Sequence, residues 1–362
     1  MQPVVTQFDI EVARCAECGW RAQARHPEQT SDALGAAVQI GPRALGLAAE
    51  MKHAWGVPYR KVTGILERGL GLRVSPGTLA RAEQRLAAQA EPTSYHLLLA
   101  LRESGVVHGD ETGWKVAGEK AWLWVFTAEG VTVYTIDRRR SHEVAERILG
   151  TEFQGVLGCD CFLAYEPLSC RQQKCLGHLL RRCKEIQEEP RPAEAVRLSR
   201  QVAALLRGAI TLWRRQEQME AQRYARACER LEAALDRLLA QEPPDEAAAR
   251  LVKLLRKQRQ RLFTFLYMAG VEPTNNAAER AIRPAGSGAE DFGREPERAG
   301  GEGACRGDQL VADLSAARAG LPESGHHIAA QSPAASHSVG LAWSTLEGTT
   351  LVGLVAASSL PS

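Results

Sequence analysis

Nowhere in this chain do about 18 apolar residues run together, and no basic-then-apolar segment opens it, so neither a membrane span nor secretion is expected. Nine cysteines, an odd number at irregular spacing, form no disulfide framework, which fits a reducing cytoplasm. Lysine, asparagine and tyrosine are all missing from Gly286 onward, where four arginines face nine acids for a net charge of −5. The preceding residues 1–285 are therefore moderately basic, +7 against +2 for the whole chain. That balance suits a polyanionic partner and equally suits an ordinary, slightly basic soluble enzyme. With 362 residues, 44% hydrophobic and 24% charged, two or three globular domains are expected.

What is present changes character along the chain. Residues 1–40 hold Cys15 and Cys18 at CxxC spacing, with His26 beyond them. A tetrahedral zinc site needs four ligands, so the pair reads either as two free thiols or as a partial zinc knuckle whose first half precedes the chain. Residues 41–100 follow a helical period. Ser75-Pro76 is an N-cap with proline in the first turn, and Arg81 and Arg85 lie on a face away from Leu79 and Leu86. Short helices, a glycine-containing turn and an arginine-bearing helix resemble a DNA-binding helix-turn-helix, although any small helical bundle has the same pattern.

From 101 to 187 the period switches to β. "SGVVHGDETGWKV", "KAWLWVFTAEG" and "VTVYTIDRRR" read as a three-strand meander. A short helix, "SHEVAERILG", and a further strand, "GVLGCDCFLAY", complete an α/β order in which the last strand can pair parallel with the first. Trp114, Trp122 and Trp124 are expected to be core aromatics. Residues 188–270 turn helical again, with Leu231, Leu235, Leu238 and Leu239 at helical spacing and Pro243-Pro244 as a divider. Residues 271–285 open a last helix, where Thr274 and Asn275 are placed to cap and Ala277, Ala278, Ala281 and Ile282 to carry it.

Three acids stand out. Asp110 ends the first strand, Asp160 ends the run Val156-Leu157, and Glu279 sits on the last helix. The parallel arrangement puts Asp110 and Asp160 on adjacent strands, and a helix returning after the insertion brings Glu279 beside them. Clustered carboxylates repel unless a divalent cation neutralises them, and hard oxygen ligands suit Mg²⁺ or Mn²⁺. Two such ions clamp the oxygens of a phosphodiester displacement. Arg280 and Arg283 follow Glu279 on the same helix, either to grip phosphate or to solvate it.

Four motifs in order, "HGDETGWKVAGEKAWLWVF", "GVLGCDCFLAYEP", "CLGHLLRR" and "EPTNNAAERAIRP", resemble the transposases of the insertion-sequence-66 family. The resemblance implies a DDE enzyme: an α/β ribonuclease-H-like core with a mixed sheet and a helical insertion, behind a small helical DNA-binding region. Asp110, Asp160 and Glu279 would be its metal-binding triad, nicking the element's ends and directing the freed 3′-hydroxyl into target DNA. Cys175 and His178 match a C-x-x-H signature between the second and third acids, read as packing or as zinc. Terminal repeats and target DNA, a homo-oligomer, accessory transposition proteins and a bacterial cytoplasmic, nucleoid-associated location are implied in the same way.

Past Ala285 the resemblance stops, and residues 286–362 show no apolar period. The family would continue with Arg-Lys-Ile-Ser-Gly-Gly-Asn. Codons able to encode Gly288–Pro296, read one base later, permit that peptide, and those of Gln309–Leu314 permit Ser-Leu-Leu-x-Thr, again as in the family. A one-base frameshift near Ala285 is therefore expected to have replaced the natural C-terminus with a disordered, out-of-frame tail; the alternative is a natural disordered tail. A short helix deprived of its downstream partner is expected to misplace Glu279, leaving strand transfer weak or absent; the alternative reading is a non-catalytic protein that binds transposon ends.

Overall fold

The computed structural model describes residues 4, 6–7, 9–24, 26, 40–53, 55–116 and 118–286, the last three by backbone alone, with the backbone of 340–346 and 349–355. The chain divides into two compact units. One comprises residues 1–95, 114–120 and 284–362, the other residues 96–113 and 121–283.

In the first unit, β1 (Val12–Arg14) pairs antiparallel with β2 (Arg21–Gln23) around a turn that carries Cys15 and Cys18. Helices α1 (Pro42–His53) and α2 (Tyr59–Leu70) follow, then α3 (Pro76–Glu103), whose residues past Tyr95 belong to the second unit. Gly71 ends α2 in the left-handed conformation, φ 68°, where the N–H groups of Gly71 and Leu72 satisfy the carbonyls of Glu67 and Leu66. The Ser75 hydroxyl accepts the Thr78 N–H at 3.1 Å, so the expected cap starts α3. Leu45, Ala48, Met51, Val62, Leu66, Leu79 and Ala82 form the shared core of these helices. Glu83 is buried among them, accepting from the Tyr59 hydroxyl and lying 3.0 Å from His53 Nε2. α3 runs on through Pro92 to Glu103, just past the 41–100 stretch in which the sequence shows a helical period. Proline removes one helix donor, but Leu98 and Leu101 beyond it are buried, and burial of an apolar face outweighs one lost bond.

The second unit is built on a sheet. Strands β3 (Val106–Val116), β4 (Glu119–Ala128) and β5 (Val131–Asp137) form the expected meander; α4 (His142–Leu149), β6 (Val156–Cys159) and β7 (Arg171–Lys174) follow. The strand order is β7-β6-β3-β4-β5. β6 runs parallel to β3, with Val106 opposite Val156 and His108 opposite Gly158, and β7 runs parallel to β6. β4 and β5 are antiparallel, so the five-stranded sheet is mixed. Trp124 is fully buried and Trp114 is 6% exposed, as core aromatics should be. Trp122 departs from that expectation: its face carries the Arg140 guanidinium at 4.3 Å.

The helical stretch after β7 consists of α5 (Leu176–Glu188), α6 (Ala193–Arg214), α7 (Ala221–Leu239) and α8 (Glu246–Gln258). Leu198, Val202, Leu206, Leu235, Leu251 and Leu255 interlock into one core, each side chain worth about 1.5–3 kcal/mol of burial. The chain then returns to the sheet as α9 (Asn276–Gly286).

Most of the segment read as a disordered tail lies outside the described residues. Within it, however, β8 (Gly340–Leu346) and β9 (Thr349–Val355) pair antiparallel. Their residues "GLAWSTL" and "TTLVGLV" are rich in β-branched and apolar side chains, a composition that pairs as strands whether or not selection shaped it.

Candidate active site

The sheet's parallel register sets the first two acids side by side. Each β3 residue faces the β6 residue fifty positions later, and extending that register two steps past His108–Gly158 brings Asp110 level with Asp160. Asp160 caps the turn that leaves β6, its Oδ1 accepting the Phe162 N–H at 2.8 Å. Asp110 Oδ1 accepts the Glu111 N–H at 3.0 Å.

Glu279 arrives from α9, and what fixes it there is Asn275. The sequence assigned Asn275 to capping; instead its fully buried side chain reaches out of the helix to β3. Its Nδ2 donates to the Gly109 carbonyl at 2.8 Å, and its Oδ1 accepts from His108 Nδ1 at 3.2 Å. An amide oxygen only accepts, so His108 carries its proton on Nδ1. Burial pushes the His108 pKa below its usual value, partly offset by Asn275. The Asn275 N–H donates to Cys175 Sγ at 3.2 Å, and its carbonyl takes the Glu279 N–H at 3.1 Å, the bond that opens the helix. Gly158 makes room for this joint, because a Cβ there would come within 2.6 Å of His108 Nδ1. A second tie comes from β5, where the Tyr134 hydroxyl donates to the Ala281 carbonyl at 2.7 Å. Both anchors, and the fully buried Ala278, lie upstream of Ala285. The expectation that a shortened helix would lose Glu279 therefore meets a helix pinned from its N-terminal side.

The ligand atoms of Asp110, Asp160 and Glu279 do not all close to within 4.8 Å of one another, but the other two acids are felt electrostatically at Asp110. Asp110 is pushed up to about 7 from its ordinary 3.8, first by burial, then by the charge of Glu111, with Asp160 and Glu279 adding to it. Glu111, which the sequence reading passed over, has a side chain only 2% exposed that lies 2.8 Å from the Arg140 guanidinium. It also takes the Tyr165 hydroxyl at 2.5 Å. Arg140 is sandwiched between the rings of Trp122 and Phe162, which explains why one indole left the core. The signal for Glu111 was its place: two consecutive acids in a strand point to opposite faces, so one of them must be buried or paired.

A raised carboxyl has a definite stability consequence. The native state holds the Asp110 proton to higher pH than the unfolded chain, so its contribution is full below about 4 and is lost as pH rises through about 7. In chelator, the melting temperature is expected to fall across that window, by up to about 4 kcal/mol of stability. Asp110→Asn is expected to flatten the fall, and Mg²⁺ to reverse it at pH 8 but not at pH 5; a melting curve unchanged by Mg²⁺ at pH 8 would contradict this.

The remaining sequence candidates separate. Arg280 and Arg283 are both exposed on α9, with Arg283 one turn beyond Glu279 on the same face. Arg81 and Arg85 are exposed on α3 in the other unit. Cys15 and Cys18 are exposed, and the Cys18 and Glu17 backbone N–H groups hold the Cys15 thiol below its ordinary value. Among the described residues, no metal-sized grouping unites Cys15 and Cys18 with His26. Cys175 and His178 do fall beside Glu279, within 4.8 Å of one another.

The model of the IS66 family of transposases matches residues 37–293, which takes in both arginine pairs and all three acids and leaves out the Cys15–Cys18 hairpin. No curated protein matches the chain.

Proposed function

The chain belongs to the IS66 family of transposases, and on that premise we propose that Asp110, Asp160 and Glu279 are the acids with which it cuts and rejoins DNA. The observation that carries this reading is the convergence on Asp110 of charge from Asp160 and Glu279, residues fifty and more positions away in sequence. A meander followed by two strands parallel to its first, with a helix returning to the acids, supports a ribonuclease-H-like core.

The donor set fits a divalent cation. Asp160 and Glu279 add to the cost of ionising Asp110, carboxylate oxygens are hard ligands, and Mg²⁺ or Mn²⁺ is the natural neutralising group. Bound there, such ions supply the Lewis acidity that activates a water or 3′-hydroxyl and offsets charge at the scissile phosphate. The chain's own residues do the positioning. Parallel pairing fixes Asp110 against Asp160, Asn275 and Tyr134 fix α9, and Glu111 with Arg140 and Tyr165 stiffens the middle of β3. Arg280 and Arg283 grip phosphate near the cut, while Arg81 and Arg85 on α3 hold the terminal repeats. Cutting two ends calls for a homo-oligomer, and accessory proteins of the element are its further partners.

With Glu279 anchored upstream of Ala285, the loss attributable to the changed C-terminus falls on strand transfer rather than on the acids. The test compares this chain with a version whose reading frame is restored after Ala285, on labelled terminal-repeat duplexes. Both are expected to nick the ends with Mg²⁺, and the restored version to raise strand transfer by about 100-fold, the penalty typical of ångström-scale misplacement. End binding without any nicking, in both versions, would reduce the protein to a non-catalytic end-binder.

A further inference from the structure

The C-x-x-H pair is not used by the chemistry above, yet it stands against one of the acids. His178 Nδ1 lies 3.7 Å from Glu279 Oε1, too long for a hydrogen bond, and that nitrogen is buried with no hydrogen-bond partner. Cys175 Sγ completes a group whose three ligand atoms all lie within 4.8 Å of one another. Nitrogen and oxygen ligands sharing one tetrahedral zinc stand roughly 3.3 Å apart, close to the spacing seen.

We propose that Cys175, His178 and Glu279 form a binding site for a soft divalent cation, zinc being the best match to a sulfur, nitrogen and oxygen set. Cys175 sits at the junction of β7 and α5, where the Asn275 N–H donates to its sulfur at 3.2 Å. N–H groups directed at sulfur are the usual outer support of a metal thiolate. Without a cation, burial keeps this thiol protonated, and Glu279 reinforces that. On binding, the thiol proton leaves to solvent, the sulfur–metal bond replaces the S–H bond, and the charge of the ion offsets the burial cost. His178 and Glu279, 27% and 26% exposed, form the open side through which the ion enters. Cys175 itself is only 1% exposed, so the sulfur is the floor of the site. Three protein ligands leave a fourth position for water.

The consequence is a competition. Glu279 belongs to both sets, and zinc held here withdraws it from Asp110 and Asp160. That consequence rests on the function proposed above; the binding itself does not, and it is tested without any activity measurement.

The test uses the full chain carrying Cys15→Ser and Cys18→Ser, which removes the exposed thiol pair, titrated with Co²⁺ and then displaced with Zn²⁺. A sulfur-to-cobalt charge-transfer band with intense four-coordinate visible bands is expected, and zinc should abolish it stoichiometrically. His178→Ala and Glu279→Gln should each weaken the metal by more than the roughly 10–100-fold that loss of a mere supporting hydrogen bond costs. Cys175→Ser should remove the charge-transfer band while circular dichroism stays native. No band in the parent, or a band that survives Cys175→Ser or is untouched by His178→Ala, overturns the proposal.

Discussion

Asp110→Asn, Asp160→Asn and Glu279→Gln are each expected to lower Mg²⁺-dependent nicking of a terminal-repeat duplex on the order of a thousandfold or more. Loss of one charge-stabilising group from a preorganised site already costs about 10²–10³. Here each substitution also removes a proposed metal ligand. The amide replacements preserve shape, so the fold should survive. Removing the negative charge at Asp110, whose carboxyl is pushed up by burial and by its acidic neighbours, should even stabilise the metal-free protein. A variant that melts higher and cuts far less is the signature expected of a site that trades stability for function. Any of the three that nicks within tenfold of the parent would remove that acid from the proposed set.

Asn275→Leu is expected to have the next largest effect. The substitution leaves the Gly109 carbonyl and His108 Nδ1 without their partner in a fully buried place. Each orphaned polar group costs about 1–3 kcal/mol, so urea unfolding should show a loss of about 2–6 kcal/mol. The same change loosens the joint that sets Glu279 against β3, and nicking should fall about 100-fold in the fraction that stays folded. Asn276→Ala is the control: Asn276 is exposed at the next position and should change neither quantity appreciably. A purely structural role for Asn275 would lower stability while leaving kcat of the folded protein intact.

Much of this core was legible because its strands are apolar and aromatic. The meander β3–β4–β5 and the parallel return of β6 follow from period-2 patterning and from the glycine turns between strands. β7 was missed for an equally physical reason. Its residues Arg171, Gln172, Gln173 and Lys174 have no apolar period, yet the last three are buried because their polar atoms are met inside the fold. Gln173 illustrates this, donating to the Leu262 carbonyl at 2.9 Å and accepting the Phe265 N–H at 3.1 Å. Partners ninety residues away cannot be read from a four-residue window. Asn275 was misassigned similarly: asparagine before a helix normally caps it, and only the tertiary approach of β3 draws the side chain elsewhere. Asp160 and Glu279 were legible because a strand end and a helix start were; Asp110, expected to end its strand, lies inside β3, which runs on to Val116, and Glu111 needed its two distant partners, Arg140 and Tyr165, to be recognised as buried.

The central claim is that Asp110, Asp160 and Glu279 serve one divalent centre. Iron(II) bound in place of Mg²⁺, with ascorbate and peroxide, generates radicals that cut the polypeptide only where it lies close to the ion. In a His178→Ala background, which silences the neighbouring thiolate site, the expected result is three cuts in the same chain, near residues 110, 160 and 279. All three should be lost together in Asp110→Asn. Cuts near Glu279 alone, or a pattern indifferent to Asp110→Asn, would show that the acids do not share an ion.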